Sequence, residues 1–140
     1  MNKTIVQFVK YGMVGVMNTL VTLFVIFLCK SLLEIHPVAS NAIGYVAGLV
    51  NSFLWNKTWV FRSHKGYTRE AMKFIAGFGL CYCLQLLVVM MLTYHTPMGG
   101  MQWDIRFMVI SGYGVATLLG MVAYTIANFL YNRCVTFKAD

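Results

Sequence analysis

Four stretches of the chain carry no charged residue: Tyr11 to Cys29, Ile35 to Asn56, Phe74 to Trp103 and Phe107 to Asn132. Each can hold the roughly 20 residues that a helix needs to cross the hydrocarbon of a bilayer. With 59% hydrophobic residues, 11% charged residues and a mean hydropathy of +0.70, the chain departs from a soluble domain, where about a quarter of residues are charged. The expected fold is an all-α membrane protein of four transmembrane helices in a single integral-membrane domain, residues 1–140. Lys3 and Lys10 before the first apolar run resemble the start of a secretory signal. No small-x-small cleavage site follows Cys29 and three more spans do, so a retained anchor is expected.

A net charge of +7 on a soluble chain would point to nucleic acid, but here its placement along the loops decides, and no nucleic-acid partner is expected. Nine cations (Lys3, Lys10, Lys57, Arg62, Lys65, Arg69, Lys73, Arg133 and Lys138) fall at the termini or in the central loop, against Lys30 and Arg106 in the other two loops. By the positive-inside rule, both termini and the loop from Lys57 to Lys73 face the cytoplasm, and the segments around Glu34 and Asp104 face outward. The basic ring also suits the lipid bilayer itself, since anionic headgroups attract each exposed cation by about 1 kcal/mol.

One motif is written twice. Asn51-Ser52-Phe53-Leu54-Trp55-Asn56-Lys57-Thr58-Trp59-Val60-Phe61 recurs as Ala127-Asn128-Phe129-Leu130-Tyr131-Asn132-Arg133-Cys134-Val135-Thr136-Phe137. In each copy an apolar run ends in an aromatic, then Asn, then a cation, as when a helix leaves the bilayer with its aromatic at headgroup level and its cation reaching the phosphates. Ser52 lies four positions before Asn56, and Asn128 four before Asn132, a spacing that stacks each pair on one helix face. The helices that open each half match as well, through Lys10-Tyr11 and Lys73-Phe74. The expectation is two helical hairpins, repeat one over about residues 4–62 and repeat two over about 69–138. With an even number of spans each, these are parallel repeats, and a site is expected where the halves meet.

Small and polar residues line three of the spans. Gly15, Asn18 and Thr22 form a stripe on the first, and Asn41, Gly44, Gly48 and Asn51 a longer one on the second. Such stripes face another helix; Asn18 is either an interhelical hydrogen-bonder or part of a polar path. The fourth span, from about Phe107, runs through Gly112, Gly114, Thr117 and Gly120. Between the spans, Ser63 to Glu70 reads as an irregular loop and Thr93 to Arg106 as a longer one in the outer interface. Cys29, Cys81, Cys83 and Cys134 lack metal-ligand spacing and read as small apolar packing residues.

All four acids, Glu34, Glu70, Asp104 and Asp140, read as loop or terminal residues, so no carboxylate is expected in the membrane. A proton-coupled exporter normally needs one. There is also no nucleophile with a base partner, metal triad or phosphate-cradling loop, so an enzyme is not expected and no cofactor is implied. What remains is a seam of neutral amides and hydroxyls with cations at its cytoplasmic mouth. Asn amides both donate to and accept from sugar hydroxyls, and Lys or Arg binds phosphate.

The opening Phe8-Val9-Lys10-Tyr11-Gly12-Met13-Val14-Gly15-Val16-Met17-Asn18-Thr19-Leu20, the Ala39-Ser40-Asn41-Ala42-Ile43 start of the second helix and the twin exits resemble the GtrA family of small four-helix membrane proteins, of the bactoprenol-linked glucose translocase type. The resemblance covers nearly the whole chain and rests on the order and spacing of short motifs. It implies translocation of a polyprenyl-phosphate-linked sugar to the outer face of a bacterial or archaeal cytoplasmic membrane, for cell-surface polysaccharide modification. It also implies association with a membrane glycosyltransferase that loads the lipid carrier. One departure is Asn51-Ser52-Phe53, where the family often has Asn directly before Phe, as in Asn128-Phe129.

On that basis Lys57 and Arg133, backed by Arg62, are the expected phosphate-binding residues. Asn18, Asn51, Asn56, Asn128 and Asn132 are the polar seam toward the substrate. Alternatives are that Lys57 and Arg133 are interfacial anchors, that the protein is a non-transporting partner of the glycosyltransferase, or that it is a channel or exporter. Four short helices offer little surface to enclose a long lipid, so a homo-oligomer is expected.

Overall fold

The computed structural model describes residues 2–105 and 108–138. In chain order these form α1 (Lys3–Phe27) with a π turn at Leu28–Leu32, α2 (Pro37–Trp55) with a π turn at Asn56–Val60, and α3 (Tyr67–Tyr94). A 3-10 turn (Pro97–Gly100), strands β1 (Gln102–Ile105) and β2 (Met108–Ser111), and α4 (Gly112–Tyr131) with a π turn at Asn132–Thr136 follow. Three segments, Lys3–Leu32, Tyr67–Tyr94 and Gly112–Thr136, are long and apolar enough to cross a membrane, and α2 is the fourth helix. This is a mostly helical membrane protein. The chain divides into two compact units, one ending at Gly66 and the other spanning Tyr67–Lys138.

Local chemistry sets the helix starts. The Asn2 side chain accepts from Thr4 N–H at 3.4 Å, His36 Nδ1 accepts from Val38 N–H at 3.3 Å with Pro37 at the first helical position, and Ser111 Oγ accepts from Gly114 N–H at 3.1 Å. Each satisfies a backbone donor that the first helical turn leaves without a partner.

In the first unit α1 and α2 pair through glycine. A Cβ on Gly44 would strike the Ile26 side chain and the Thr22 carbonyl, and one on Gly48 would strike Thr22 Oγ1 and lie 3.1 Å from Asn18 Oδ1. The stripe is therefore packed from Asn18 onward. Gly15, expected on it, is exposed with nothing within 4 Å of a Cβ, and Asn41 is exposed at the other end of the α2 stripe.

In the second unit α3 and α4 pair in the same manner. The spacing that sets Lys10 opposite Lys73 also sets Thr22 opposite Gln85 and Ile26 opposite Val89, and the motif spacing sets Gly44 opposite Gly120. A Cβ on Gly120 would meet the Val89 and Gln85 side chains and the Gln85 carbonyl, the counterparts of the Gly44 neighbours.

Three expectations are corrected. The chain is not wholly α: β1 and β2 pair antiparallel, Gln102 with Ser111 through Ile105 with Met108. The β-branched Val109 and Ile110 favour extended backbone, so α4 starts at Gly112 and not near Phe107. Glycine is needed there because a Cβ would overlap the Met98 carbonyl, and the Gly112 N–H bonds to the Met101 carbonyl at 2.8 Å. Glu70 does not lie in a loop. Since α3 begins at Tyr67, Glu70 falls in its first turn, where the helix dipole favours a carboxylate, and it is 2% exposed. Arg106 of the loop-charge count, Phe107 at the expected start of the fourth span and Asp140 among the acids lie outside the described residues.

Candidate functional site: two polar corners

Among the described residues three helices end in a π turn, in which backbone bonds reach one residue further than in an α-helix. Leu33 N–H bonds to Leu28 O at 3.1 Å, Phe61 N–H to Asn56 O at 2.9 Å and Phe137 N–H to Asn132 O at 2.8 Å. The first two finish alike. Glu34 (φ 52) and Arg62 (φ 53) enter the left-handed region, and the next N–H reaches back to Cys29 O or Lys57 O at 2.9 Å. Only the turns after α2 and α4 begin with Asn, and these two carry the repeated motif.

The first corner buries Asn56 and Lys57, at 1% and 2% exposed. Asn56 Nδ2 donates to the Ser52 carbonyl at 2.8 Å and to Ser52 Oγ at 3.2 Å. Lys57 Nζ donates to the Lys65 carbonyl at 2.6 Å, fastening the chain after the turn back onto it. Lys57 therefore does not reach outward as an interfacial anchor; the wide turn carries its side chain inward. Arg62 is exposed.

The second corner buries Asn132 fully. Its Nδ2 donates to Asn128 Oδ1 at 3.2 Å, and Asn128 Nδ2 donates to the Tyr124 hydroxyl at 3.2 Å, so an amide relay climbs α4. Arg133 is half-buried. The spacing of four that pairs Ser52 with Asn56 and Asn128 with Asn132 thus becomes a hydrogen bond in each unit.

The same two corners meet their own opening helices at matching positions. Tyr11 packs on Phe61 with ring centroids 6.5 Å apart, and Phe74 on Phe137 at 6.2 Å. Lys10 Nζ sits 5.0 Å from the Trp59 ring centroid, a cation–π contact, and Lys73 Nζ donates to the carbonyl of Val135, the counterpart of Trp59, at 3.2 Å. Neither Lys10 nor Lys73 was among the expected site residues; the cation-aromatic pairs that open each half were the signal.

Several buried polar atoms have no hydrogen-bond partner among the described residues. They include Asn18 Oδ1, Asn51 Nδ2, Asn56 Oδ1, Asn132 Oδ1 and Thr136 Oγ1. A buried polar atom without a partner costs about 1–3 kcal/mol, so these atoms mark places suited to an outside partner. Asn56, Asn132 and Thr136 belong to the corners. Asn18 lies deeper, at the α1–α2 contact, and Asn51 is half-buried one turn above the first corner.

Paired apolar helices, glycine contacts and polar, cationic corners define a small helical membrane protein. The chain belongs to the GtrA/DPMS transmembrane-domain family, whose model matches residues 10–138. It is 26% identical over 136 residues to the Listeria innocua protein named "Cell wall teichoic acid glycosylation protein GtcA", covering 91% of this chain and 82% of that one. It is also 32% identical over 83 residues to the "Uncharacterized membrane protein YngA" of Bacillus subtilis, covering 56% of this chain and 55% of the other. The resemblance read from the opening helix and twin exits is thus established at the level of family.

Proposed function

We propose that this protein translocates a polyprenyl-phosphate-linked sugar across the cytoplasmic membrane, for glycosylation of a cell-surface polymer. The observation that carries this is the pair of buried amide carbonyls, Asn56 Oδ1 and Asn132 Oδ1, each without a partner among the described residues and each directly before a cation. Such a carbonyl accepts from a sugar hydroxyl, and a neighbouring cation attracts phosphate. Family membership and the glycosylation role in the name of the Listeria relative support the same direction. In this proposal α2 is the fourth span, the two hairpins are parallel repeats, the termini and residues 63–70 are cytoplasmic, and the protein binds substrate without catalysing its chemistry. Arg62 and Arg133 are accessible cations for the phosphate, Lys57 organises the first corner, and Asn18, Asn51 and Asn128 extend the polar seam.

Purified protein in vesicles, given a labelled polyprenyl-phosphate sugar, should move label between leaflets. Asn56→Leu with Asn132→Leu should abolish that movement while leaving the protein folded. Equal rates in empty vesicles would overturn the proposal.

A non-transporting role beside a membrane glycosyltransferase is the second reading. It is favoured by Gly12 and Gly15, whose exposed backbone on α1 has open space around it, as a small-residue surface for another helix would. Capture of such an enzyme together with no translocation would select it. A homo-oligomer, also proposed, would appear as multiples of the 15.8 kDa chain in nanodisc mass measurements.

A further inference from the structure

Two cavities lie side by side on the first unit. One, about 510 Å³, is lined by Met13, Val14, Val16, Met17, Leu20, Trp55 and Trp59 and is almost wholly apolar. The other, about 460 Å³, is lined by Lys3, Val6, Gln7, Lys10, Val60, Phe61 and Arg62. Lys10, which lines the second, holds its ammonium over the ring of Trp59, which lines the first. The pair therefore forms one continuous surface, cationic at one end and apolar at the other.

The matched halves differ at its wall residues. In the second unit the Tyr131 ring lies against Gly77, where a Cβ would overlap it. The residue matching Gly77 is Val14, buried at 1% exposed, and the residue matching Tyr131 is Trp55. Val14 occupies the space that a ring would need, so Trp55 stays 41% exposed, edge-on to Trp59 at 6.2 Å, and becomes a wall of the apolar cavity.

We infer that this surface is the seat of the lipid carrier: the phosphate of a single-chain polyisoprenyl phosphate lies among Lys3, Lys10 and Arg62, and its first isoprene units lie in the Met13–Trp59 groove. The inference rests on the lipid-carrier function proposed above and joins Lys3 and Lys10 of α1 to Arg62 at the anion site, with Lys57 left buried against Lys65. Charge complementarity selects the headgroup, since three cations and no acid line the polar cavity. The groove selects the tail. It is one channel running from Met13 to Leu20, about 10 Å along the helix, with room for one chain, and its volume falls within the about 300–1,000 Å³ of small-molecule sites. Met13 and Met17 offer flexible thioethers, and Trp55 and Trp59 flat faces, that fit methyl-branched hydrocarbon. A diacyl phospholipid brings two chains and a singly charged diester, a poorer match in both respects.

The test uses full-length protein with Trp103→Phe, leaving Trp55 and Trp59 as the emitters, in phosphatidylcholine nanodiscs. Titration with a polyisoprenyl monophosphate should shift tryptophan emission. Lys10→Gln and Arg62→Gln should each weaken binding about fivefold, from about 1 kcal/mol per interfacial cation, and together by roughly the product. Met17→Phe, which fills the groove, should weaken it with the cations intact, and Lys30→Gln should change nothing. Phosphatidylglycerol and inorganic phosphate should each fail to compete at equal concentration. Competition by phosphatidylglycerol would make this a general anionic-lipid surface, and competition by phosphate would remove the groove from the site; either overturns the inference. If the lipid binds and is translocated but Lys10→Gln, Arg62→Gln and Met17→Phe leave binding unchanged, this site is wrong and the proposed function stands. If the wild-type protein neither binds nor translocates it, both fail.

Discussion

The turn after α2 and the turn after α4 carry one motif, share one π geometry and bury the same asparagine, yet they are wired differently. Asn56 leans on Ser52, mostly through a backbone carbonyl, and Lys57 folds inward onto Lys65. Asn132 leans on a second amide, Asn128, which passes the contact to Tyr124, while Arg133 stays half-buried. The preceding aromatic differs as well: Tyr131 rests on Gly77, whereas Trp55 stands beside Val14 and borders a groove. A repeated motif therefore repeats a backbone. What each copy does depends on the residue four positions earlier and on the helix it packs against.

The largest expected effect tests the cations. Lys57→Ala should destabilise the protein by about 3 kcal/mol, because a buried hydrogen bond from a charged group is lost and the Lys65 carbonyl loses its donor. Arg133→Ala, at a half-buried position, should lose less than about 1 kcal/mol. Thermal unfolding in detergent compares them directly, and equal losses would erase the contrast between the corners.

Next comes the aromatic. Gly77→Val would copy the first unit into the second and drive Tyr131 off α3, an overpacking loss of about 2 kcal/mol. Gly79→Ala, at an exposed helical site with open space, should be neutral or slightly stabilising. The converse change, Val14→Gly, should let Trp55 settle against α1 and bury its ring, read as a blue-shifted emission in the Trp103→Phe background.

The amide relay predicts a smaller difference. Asn128→Ala should lose about 1 kcal/mol, since it removes the side-chain acceptor of Asn132 Nδ2, whereas Ser52→Ala should lose about half of that because Asn56 keeps the Ser52 carbonyl at 2.8 Å. Chemical denaturation of the two single variants measures the ratio, and a larger loss at Ser52 would show that the hydroxyl, not the carbonyl, holds Asn56.

The smallest effect separates the π turns that do and do not start with Asn. Glu34 sits in left-handed backbone at the turn after α1, which has no role in the proposed sites. Glu34→Gly should therefore raise stability by about 0.5 kcal/mol, relief of left-handed strain less the entropy glycine adds to the unfolded chain. A loss would mean that the Glu34 side chain itself supports the turn.

Much was decided by composition and order along the chain. Charge-free runs of this length favour helices in a membrane, and the duplicated motif located two matched helix ends, because backbone hydrogen-bond demand and interfacial chemistry act locally. The i,i+4 pairing of Ser52 with Asn56 and Asn128 with Asn132 was equally legible, since helix periodicity alone sets it. The short strands at 102–105 and 108–111 were not, because Val109 and Ile110 beside a span read as more span until β1 pairs with their backbone. Tertiary structure alone decided that Glu70 and Lys57 are buried, that Gly15 is left open while Gly44 and Gly48 are packed, and that Val14 keeps a groove where Gly77 admits a ring. Those outcomes depend on which side chain another helix presents at contact distance, and a sequence lists residues without that distance.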